Sequence, residues 1–462
     1  MEENQKIEDR YQIQGDLILK KGEGRTIKSG GAWIYDNEVR ELKKADEASF
    51  RNGGIVRVLD FDGYFMGYGF YNEKSKIRVR MLSRFRKDPI DADFMKERAG
   101  DAWDYRKAVI DTSSCRVIFG EADFLPGLVV DKYEDLLVFQ SLALGIDALK
   151  DDILNGLVDA MKADGIRIRG IFERSDASVR KKEGLFPKKG WYPLKREDGL
   201  AAFTSEDPKD DHVIITENSI RYDVDIKDGQ KTGFFLDQKE NRMALQRLVR
   251  HLKEDPNKNS VSVSSGSVAE EPVPASALAG NPNRLRVLDC FTHMGTFALN
   301  AGYAGADEVT GLDISEFAVG QASENARRNG LSDRVHFEAA DVFDALPKLQ
   351  EEGKQYDIVI LDPPAFTKSR EATKHAINGY REINIRGLKL VRNGGYLCTC
   401  SCSHFMTQEL FEKMIREAAR SAHKRLQQVE FRTQGPDHPI LLNGDENSYY
   451  LKFFIFRCIE EK

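Results

Sequence analysis

From residue 284 onward, short apolar runs that end in an acid alternate with amphipathic stretches, and this rhythm constrains the fold more than any other feature of the chain. RLRVLDCF leads into the helical ALNAGYAG, and EVTGLDI leads into a periodic stretch from about Ser315 to Asn329 that Gly330 closes. VHFEAADV and the buried-strand run YDIVILDPP follow, then an amphipathic helix around 379–392, GGYLCTCSCS, a helix opened near Thr407, and strands around QQVEF and YYLKFFIF. Such alternation buries its apolar strands only if helices cover both faces of a mostly parallel sheet. Sheets of that kind bind ligands at the carboxyl ends of their strands.

The first 200 residues read differently. ILKKGEGR, SGGAWIY, GGIVRVLDFDG, YFMGYGFYN and KIRVRML are short strand-like runs between glycine-rich turns, with no room for a long helix before about residue 90. They predict a small β-rich domain over 10–90. A helical pattern near 91–110, the runs CRVIFG, LPGLVVDKYEDLLVFQS and IRGIFERSD, and a helix near 146–163 predict a central α+β domain over 91–200. The α/β domain then takes 201–462. It is interrupted at 253–283 by a Ser-, Pro-, Asn- and Ala-rich stretch without hydrophobic periodicity, expected as a flexible surface insertion.

With 41% hydrophobic and 31% charged residues, the 462-residue chain has the composition of globular domains. No apolar run approaches the roughly 18 residues that span a bilayer, and MEENQKIEDR lacks the basic end and apolar stretch of a signal peptide. The expected location is cytoplasmic, with no membrane partner. The six cysteines include no C-x-x-C pair and no zinc-type Cys/His spacing, which argues against a metal site and a disulfide framework. The formal net charge of −6 leaves nucleic-acid binding to local basic patches.

In VLDCFTHMG, a strand ends in Asp289 and a turn through Phe291 and Gly295 precedes a helix, whose amino terminus favours an anionic ligand group. One glycine in place of the G-x-G-x-x-G set argues against a dinucleotide pyrophosphate. Asp313 at the next strand end is positioned for ribose hydroxyls, and Asp341 at the third for an adenine amino group. Each acid alone could be a helix cap or turn former. Three at successive strand ends point to S-adenosyl-L-methionine, and the motifs resemble those of class I S-adenosylmethionine-dependent methyltransferases. The fold class expected is thus a Rossmann-like class I methyltransferase sheet of seven strands.

The fourth strand delivers Asp362, Pro363, Pro364, Ala365 and Phe366: a stiff loop with an acid for hydrogen bonding and an aromatic face for a flat base. By itself this loop also resembles that of enzymes methylating exocyclic amino groups of adenine or guanine. The fifth strand ends in Thr399-Cys400-Ser401-Cys402-Ser403-His404. Carbon 5 of a pyrimidine accepts a methyl group only after a nucleophile adds at carbon 6, and a thiolate does this reversibly near neutral pH. Alternation points Cys398, Cys400 and Cys402 the same way, and only Cys402 lies far enough past the strand end to meet a flipped base. Cys398 and Cys400 read as small core hydrophobes. Asp362 is the group that would steady the base edge.

LDPPAF with SCS, preceded by KTGFFLDQKENR, resembles the bacterial ribosomal RNA large-subunit methyltransferase I family. KGEGRTIKSGGAWIYDNEV, GEADFLPGLVVDKY, FERSDASVRKKEGL and GPDHPILLNGDENSYYLKFFIF extend the resemblance over nearly the whole chain. It implies an amino-terminal PUA domain, 5-methylcytosine formation in ribosomal RNA, and Cys402 as nucleophile. It also implies that Gln238 and Arg242 contact cofactor or substrate. Other cytosine-5 RNA enzymes carry a second cysteine in a D-x-P-C loop. Ala365 stands there in this chain, so the base that removes the carbon-5 proton is not identified.

On KSKIRVRMLSRFRK, Lys76, Arg78 and Arg80 alternate with apolar residues, which on a strand gives one basic face suited to RNA phosphates, or else a solvated outer strand. Pro363, Pro364 and Phe366 are the expected base contacts. The rivals are an RNA amino-group methyltransferase using the DPPAF loop and a non-catalytic RNA-binding assembly factor. The expected partner is ribosomal RNA, and a homodimer stays open.

Overall fold

The computed structural model describes residues 10–195, 210–254, 284–366, 373–442 and 448–461. The insertion expected at 253–283 lies, from residue 255 on, outside the described residues, as does the boundary expected near residue 200. The chain divides into two compact units: Met1–Thr216, Asp223–Asp237 and Gly435–Tyr449 form the first, and Glu217–Tyr222, Gln238–Gln434 and Tyr450–Lys462 the second.

In the first unit, β1 (Ile13–Leu19), β2 (Trp33–Tyr35), β3 (Val39–Lys44), β4 (Ile55–Leu59), β5 (Phe65–Tyr71) and β6 (Ile77–Ser83) form a sheet of order β2-β6-β5-β4-β1-β3. The glycine-rich β5 can lie close to β6 because Gly67 has no Cβ: one placed there would come within 2.3 Å of the Ser83 carbonyl oxygen. A second sheet, order β11-β10-β9-β8-β7, is built from β7 (Ser114–Phe119), β8 (Leu128–Tyr133), β9 (Leu136–Ser141), β10 (Gly170–Ser175) and β11 (Lys188–Trp191). Helices α1 (Ala92–Val109) and α2 (Leu144–Ala163) accompany it. Phe65, Phe70 and Leu82 of the β-rich segment share one buried cluster with Trp103, Val117, Phe139 and Leu157 of the α+β segment. The late segment Gly435–Tyr449 is tied into this unit by Asp437, whose carboxylate accepts from the Arg116 backbone N–H (3.0 Å) and whose carbonyl accepts from the buried Arg106 (2.9 Å).

In the hairpin of β12 (His212–Glu217) and β13 (Ile220–Asp225), Glu217–Tyr222 belong to the second unit and the flanking residues to the first. The second unit holds a seven-stranded sheet of β14 (Arg286–Cys290), β15 (Glu308–Asp313), β16 (Val335–Ala339), β17 (Tyr356–Leu361), β18 (Val391–Ser401), β19 (Lys424–Arg432) and β20 (Lys452–Glu460). Its order is β16-β15-β14-β17-β18-β20-β19, with β14 to β18 parallel and β20 antiparallel to both its neighbours. Helices α3 (Lys239–Glu254), α4 (Thr296–Tyr303), α5 (Glu316–Arg328), α6 (Val342–Glu351), α7 (Thr373–Leu390) and α8 (Gln408–Ser421) complete it. The run YDIVIL of β17 is buried at every residue, as a central parallel strand covered on both faces requires. Ser315 caps α5 by accepting from the Ala318 N–H, and Thr407 caps α8 by accepting from the Leu410 N–H. Strand order reverses between β14 and β17, so their carboxyl ends border the crevice where doubly wound sheets bind ligands.

Among the described residues, no helix is long and apolar enough to cross a membrane, and no three His, Cys, Asp or Glu side chains gather to hold a metal ion.

Candidate active site

At the end of β14, Asp289 is 1% exposed. Its Oδ2 accepts from Thr292 Oγ1 (2.6 Å) and from the Ala298 N–H (2.9 Å), while its Oδ1 is buried without a hydrogen-bond partner. Burial pushes this carboxyl up to about 7, and the two hydrogen bonds offset only part of that rise. The turn that follows is strained, with Phe291 at φ 65° and His293 at φ 52°, a left-handed backbone that costs non-glycine residues roughly 1–3 kcal/mol each. Gly295, at φ 83°, is required for packing as well: a Cβ there would lie 2.6 Å from Phe337 Cζ. Phe291 is half-buried.

The strained turn fixes the next acid. The His293 N–H donates to Asp313 Oδ2 (2.9 Å) and the Ser315 N–H to Asp313 Oδ1 (3.0 Å), so the half-buried carboxylate at the end of β15 is held in one orientation. Beside it Ile314 and Phe317 stand 72% and 63% exposed, an apolar surface that the strand-end pattern did not announce. Asp341 is exposed and caps α6, its Oδ1 accepting from the Phe343 N–H (2.8 Å).

Past β17, the half-buried Asp362 accepts from Gln238 Nε2 on both oxygens (3.2 and 3.1 Å). An ionised carboxylate only accepts, so the Gln238 amide must turn its nitrogen toward Asp362. Its oxygen in turn accepts from Asn241 Nδ2 (2.6 Å). Gln238 therefore clamps the acid of the loop. Arg242 is 1% exposed and forms a two-pronged ion pair with Glu217 (2.6 and 2.8 Å). The expectation that it reaches cofactor or substrate meets a guanidinium committed inside the unit. Pro363 is buried, Pro364 exposed, and Phe366 half-buried against the rings of Tyr380 (4.7 Å) and Phe343 (6.1 Å).

The cysteines separate by burial. Cys115, Cys290, Cys398, Cys400 and Cys458 are buried, and Cys402 alone of the six is half-buried. Burial pushes the thiols of Cys290, Cys398, Cys400 and Cys458 well up, which disfavours their thiolates. Cys400 packs against Gln238, whose Nε2 is 3.8 Å from its sulfur. Strand alternation stops at Ser401, the last residue of β18, and Cys402 beyond it has a different neighbour: its Sγ is 3.7 Å from the Pro363 carbonyl oxygen. Asp362 and Cys402 thus sit on adjoining loops at one edge of the sheet.

The donor set suits S-adenosyl-L-methionine: a buried carboxylate oxygen with no hydrogen-bond partner for an amino cation, a fixed half-buried carboxylate for ribose hydroxyls, and apolar Ile314 and Phe317 for a flat base.

In the first unit, the three expected basic residues have unlike surroundings. Lys76 is exposed. Arg78 is half-buried, bonds the carbonyls of Asn72 and Glu73, and lies 6.0 Å from the Tyr71 ring. Arg80, expected on an open basic face, is instead 8% exposed between Glu121 (3.0 Å) and Glu183 (3.1 Å), over the Trp33 ring. Two acids neutralise it from outside its own strand. An exposed basic and aromatic group that the sequence reading missed lies elsewhere on this sheet, where Lys21 and Arg40 approach Phe61 and Lys28 approaches Tyr64, which is 68% exposed.

Comparison with known proteins agrees with this architecture. Residues 17–84 match the family described as PUA-like domain, and residues 282–452 the family described as methyltransferase domain. Ribosomal RNA large subunit methyltransferase I of Shewanella denitrificans is 34% identical over 96% of this chain and 98% of its own. The protein of the same name from Alteromonas mediterranea is 33% identical over 97% of this chain and 100% of its own. A solved structure from Streptococcus mutans, described as a SAM-dependent methyltransferase, superposes with a TM-score of 0.70 at 19% identity, covering 96% of this chain and 100% of its own. A structure with the same TM-score and coverage was solved in complex with SAH. The fold is that of a class I methyltransferase, preceded along the chain by a PUA-like domain.

Proposed function

The chain belongs to the ribosomal RNA large subunit methyltransferase I family, and from that premise we propose that it forms 5-methylcytosine in large-subunit ribosomal RNA through a covalent adduct of Cys402. The methyl donor is S-adenosyl-L-methionine, which supplies an electrophilic methyl group when bound. Asp289 would hold its amino cation, Asp313 its ribose, and Ile314 with Phe317 its adenine face.

The observation that carries the cytosine-5 reading is the burial pattern of the cysteines. Cys402, past the end of β18, is half-buried beside the Asp362–Pro363 loop, while the other five cysteines are buried. In the proposed step, Cys402 Sγ, as thiolate, bonds to carbon 6 of a flipped cytosine and the carbon 5–carbon 6 π electrons move to carbon 5. Carbon 5 then takes the methyl group. Loss of its proton to a base and return of the sulfur–carbon electrons to Cys402 restore the ring and release product. Asp362, held by Gln238, would accept from the exocyclic amino group of the flipped base and hold its edge in place for the attack.

RNA in which 5-fluorocytidine replaces cytidine tests the step, since fluorine at carbon 5 blocks the final elimination. A covalent protein–RNA species formed by the native chain and absent from Cys402→Ala supports the reading. Normal turnover by Cys402→Ala would instead favour transfer to an amino group by the Asp362 loop.

A further inference from the structure

The last strand brings a charged side chain to the loop that carries Cys402. Lys452 opens β20 directly across from Ser401, the final residue of β18. It is 1% exposed in a run whose following residues, Phe453, Phe454, Ile455 and Phe456, are all buried and apolar. An ammonium is costly in such a place unless its surroundings compensate it, and a methionine or leucine would fill the same volume without that cost. Its Nζ donates to the carbonyls of Ser403 (2.6 Å) and Tyr450 (2.8 Å). The charge is therefore fixed one residue from Cys402.

We infer that Lys452 is a positioning residue for Cys402, holding its loop through the Ser403 carbonyl and favouring the thiolate over the thiol. The inference rests on reading Cys402 as the nucleophile. Burial draws the Lys452 ammonium down to about 8, and negative charge on Cys402 pulls it back up, so each group favours the ionised form of the other. Among the described residues, further titratable neighbours include Asp362 from the loop after β17, Tyr380 from α7, Cys400 from β18, and His404 two residues along the same loop. An ionised Asp362 opposes a thiolate. Tyr380 stays neutral, because burial first and then the charges of Cys402 and Asp362 push its hydroxyl far up. Lys452 is a cation that offsets Asp362 at Cys402. No proton passes to Lys452 in this role: Cys402 gives its proton to solvent before addition and is again a thiolate when the adduct breaks down.

The test is the pH dependence of alkylation of Cys402 by iodoacetamide in the full chain, followed by peptide mass analysis that separates it from the five buried cysteines. In the native chain the midpoint should fall below the ordinary thiol value of about 8.5. In Lys452→Met it should rise by about one pH unit or more, with alkylation at neutral pH slowed about tenfold, and Lys452→Arg should recover most of the native profile. A native midpoint at or above the ordinary value, or an unchanged profile in folded Lys452→Met, overturns the inference. If Lys452→Met does not fold, the native midpoint decides alone. Alkylation involves no RNA. Failure of the cytosine-5 reading would appear in the methylated nucleoside and leave the alkylation profile as it is, so the two failures are distinguishable.

Discussion

The carboxyl edge of the seven-stranded sheet, where apolar runs end in acids, and strand β6 of the first unit, where basic residues alternate with apolar ones, use their charges in opposite ways. At the sheet edge, Asp289 and Asp313 are held by backbone amides and a threonine within their own turn and the next, and Asp289 keeps a buried oxygen without a hydrogen-bond partner. On β6, Arg80 is closed off by two glutamates that lie 41 and 103 residues away in sequence. A charge at a strand end is placed by the local geometry of the turns beside it. A charge within a strand takes its role from whatever distant element packs on it.

The largest effect expected from this contrast is at the sheet edge. Cys402→Ala should lower methyl transfer by about 10³-fold or more while leaving affinity for the methyl donor within a small factor of native, as calorimetry would show. Cys400→Ala, two residues earlier and enclosed, should keep most of its turnover. Equal losses in the two variants would erase the distinction between them.

Next comes Arg80→Ala. Removing one member of a buried ion-pair group leaves Glu121 and Glu183 unpaired, at a cost of about 3–5 kcal/mol of folding stability in denaturant titration. A drop below about 1 kcal/mol together with weakened RNA binding would return Arg80 to the RNA-facing role that the alternation first suggested.

A smaller effect is expected from Asp289. Its folded value of about 7 lies above the ordinary carboxyl value, so the folded chain holds a proton that the unfolded chain has lost between about pH 4 and 7. The stability this group contributes is present below that window and declines as pH rises through it. Binding of an amino cation favours the carboxylate, so methyl-donor affinity should rise toward pH 7 with proton release. Calorimetry in buffers of different ionisation enthalpy would detect the release, and Asp289→Asn should remove it.

The smallest is Lys76→Ala. Removing this exposed ammonium should change stability by less than about 0.5 kcal/mol and, with Lys76 on the expected phosphate track, lower the salt dependence of RNA binding by about one counterion. An unchanged slope would move the phosphate track to the Lys21, Lys28 and Arg40 group.

Strands β14 and β17 and their acids were legible because parallel strands buried on both faces leave apolar runs that stop where the sheet stops. The roles of the acids were less so. Asp341 satisfies a helix cap two residues away, a use that a strand-end pattern shares with ligand binding. The partners of Arg80 and Arg242 were invisible because Glu121, Glu183 and Glu217 meet them only through tertiary packing. Two of the left-handed positions in the turn after β14 fall on Phe291 and His293, residues that do not mark such a backbone as Gly295 does. Lys452 read as part of an apolar strand, and its meaning depends on the antiparallel register that sets it across from Ser401.

The central claim is that the sulfur of Cys402 opens the pyrimidine ring to methylation at carbon 5. The most direct measurement is to incubate the chain with isotope-labelled S-adenosyl-L-methionine and protein-free ribosomal RNA, digest the RNA, and identify the labelled nucleoside by mass spectrometry. The account predicts 5-methylcytidine as the labelled product. A label on an exocyclic nitrogen of adenine or guanine would contradict it, reduce Cys402 to a packing residue, and hand the chemistry to Asp362 and its proline-rich loop.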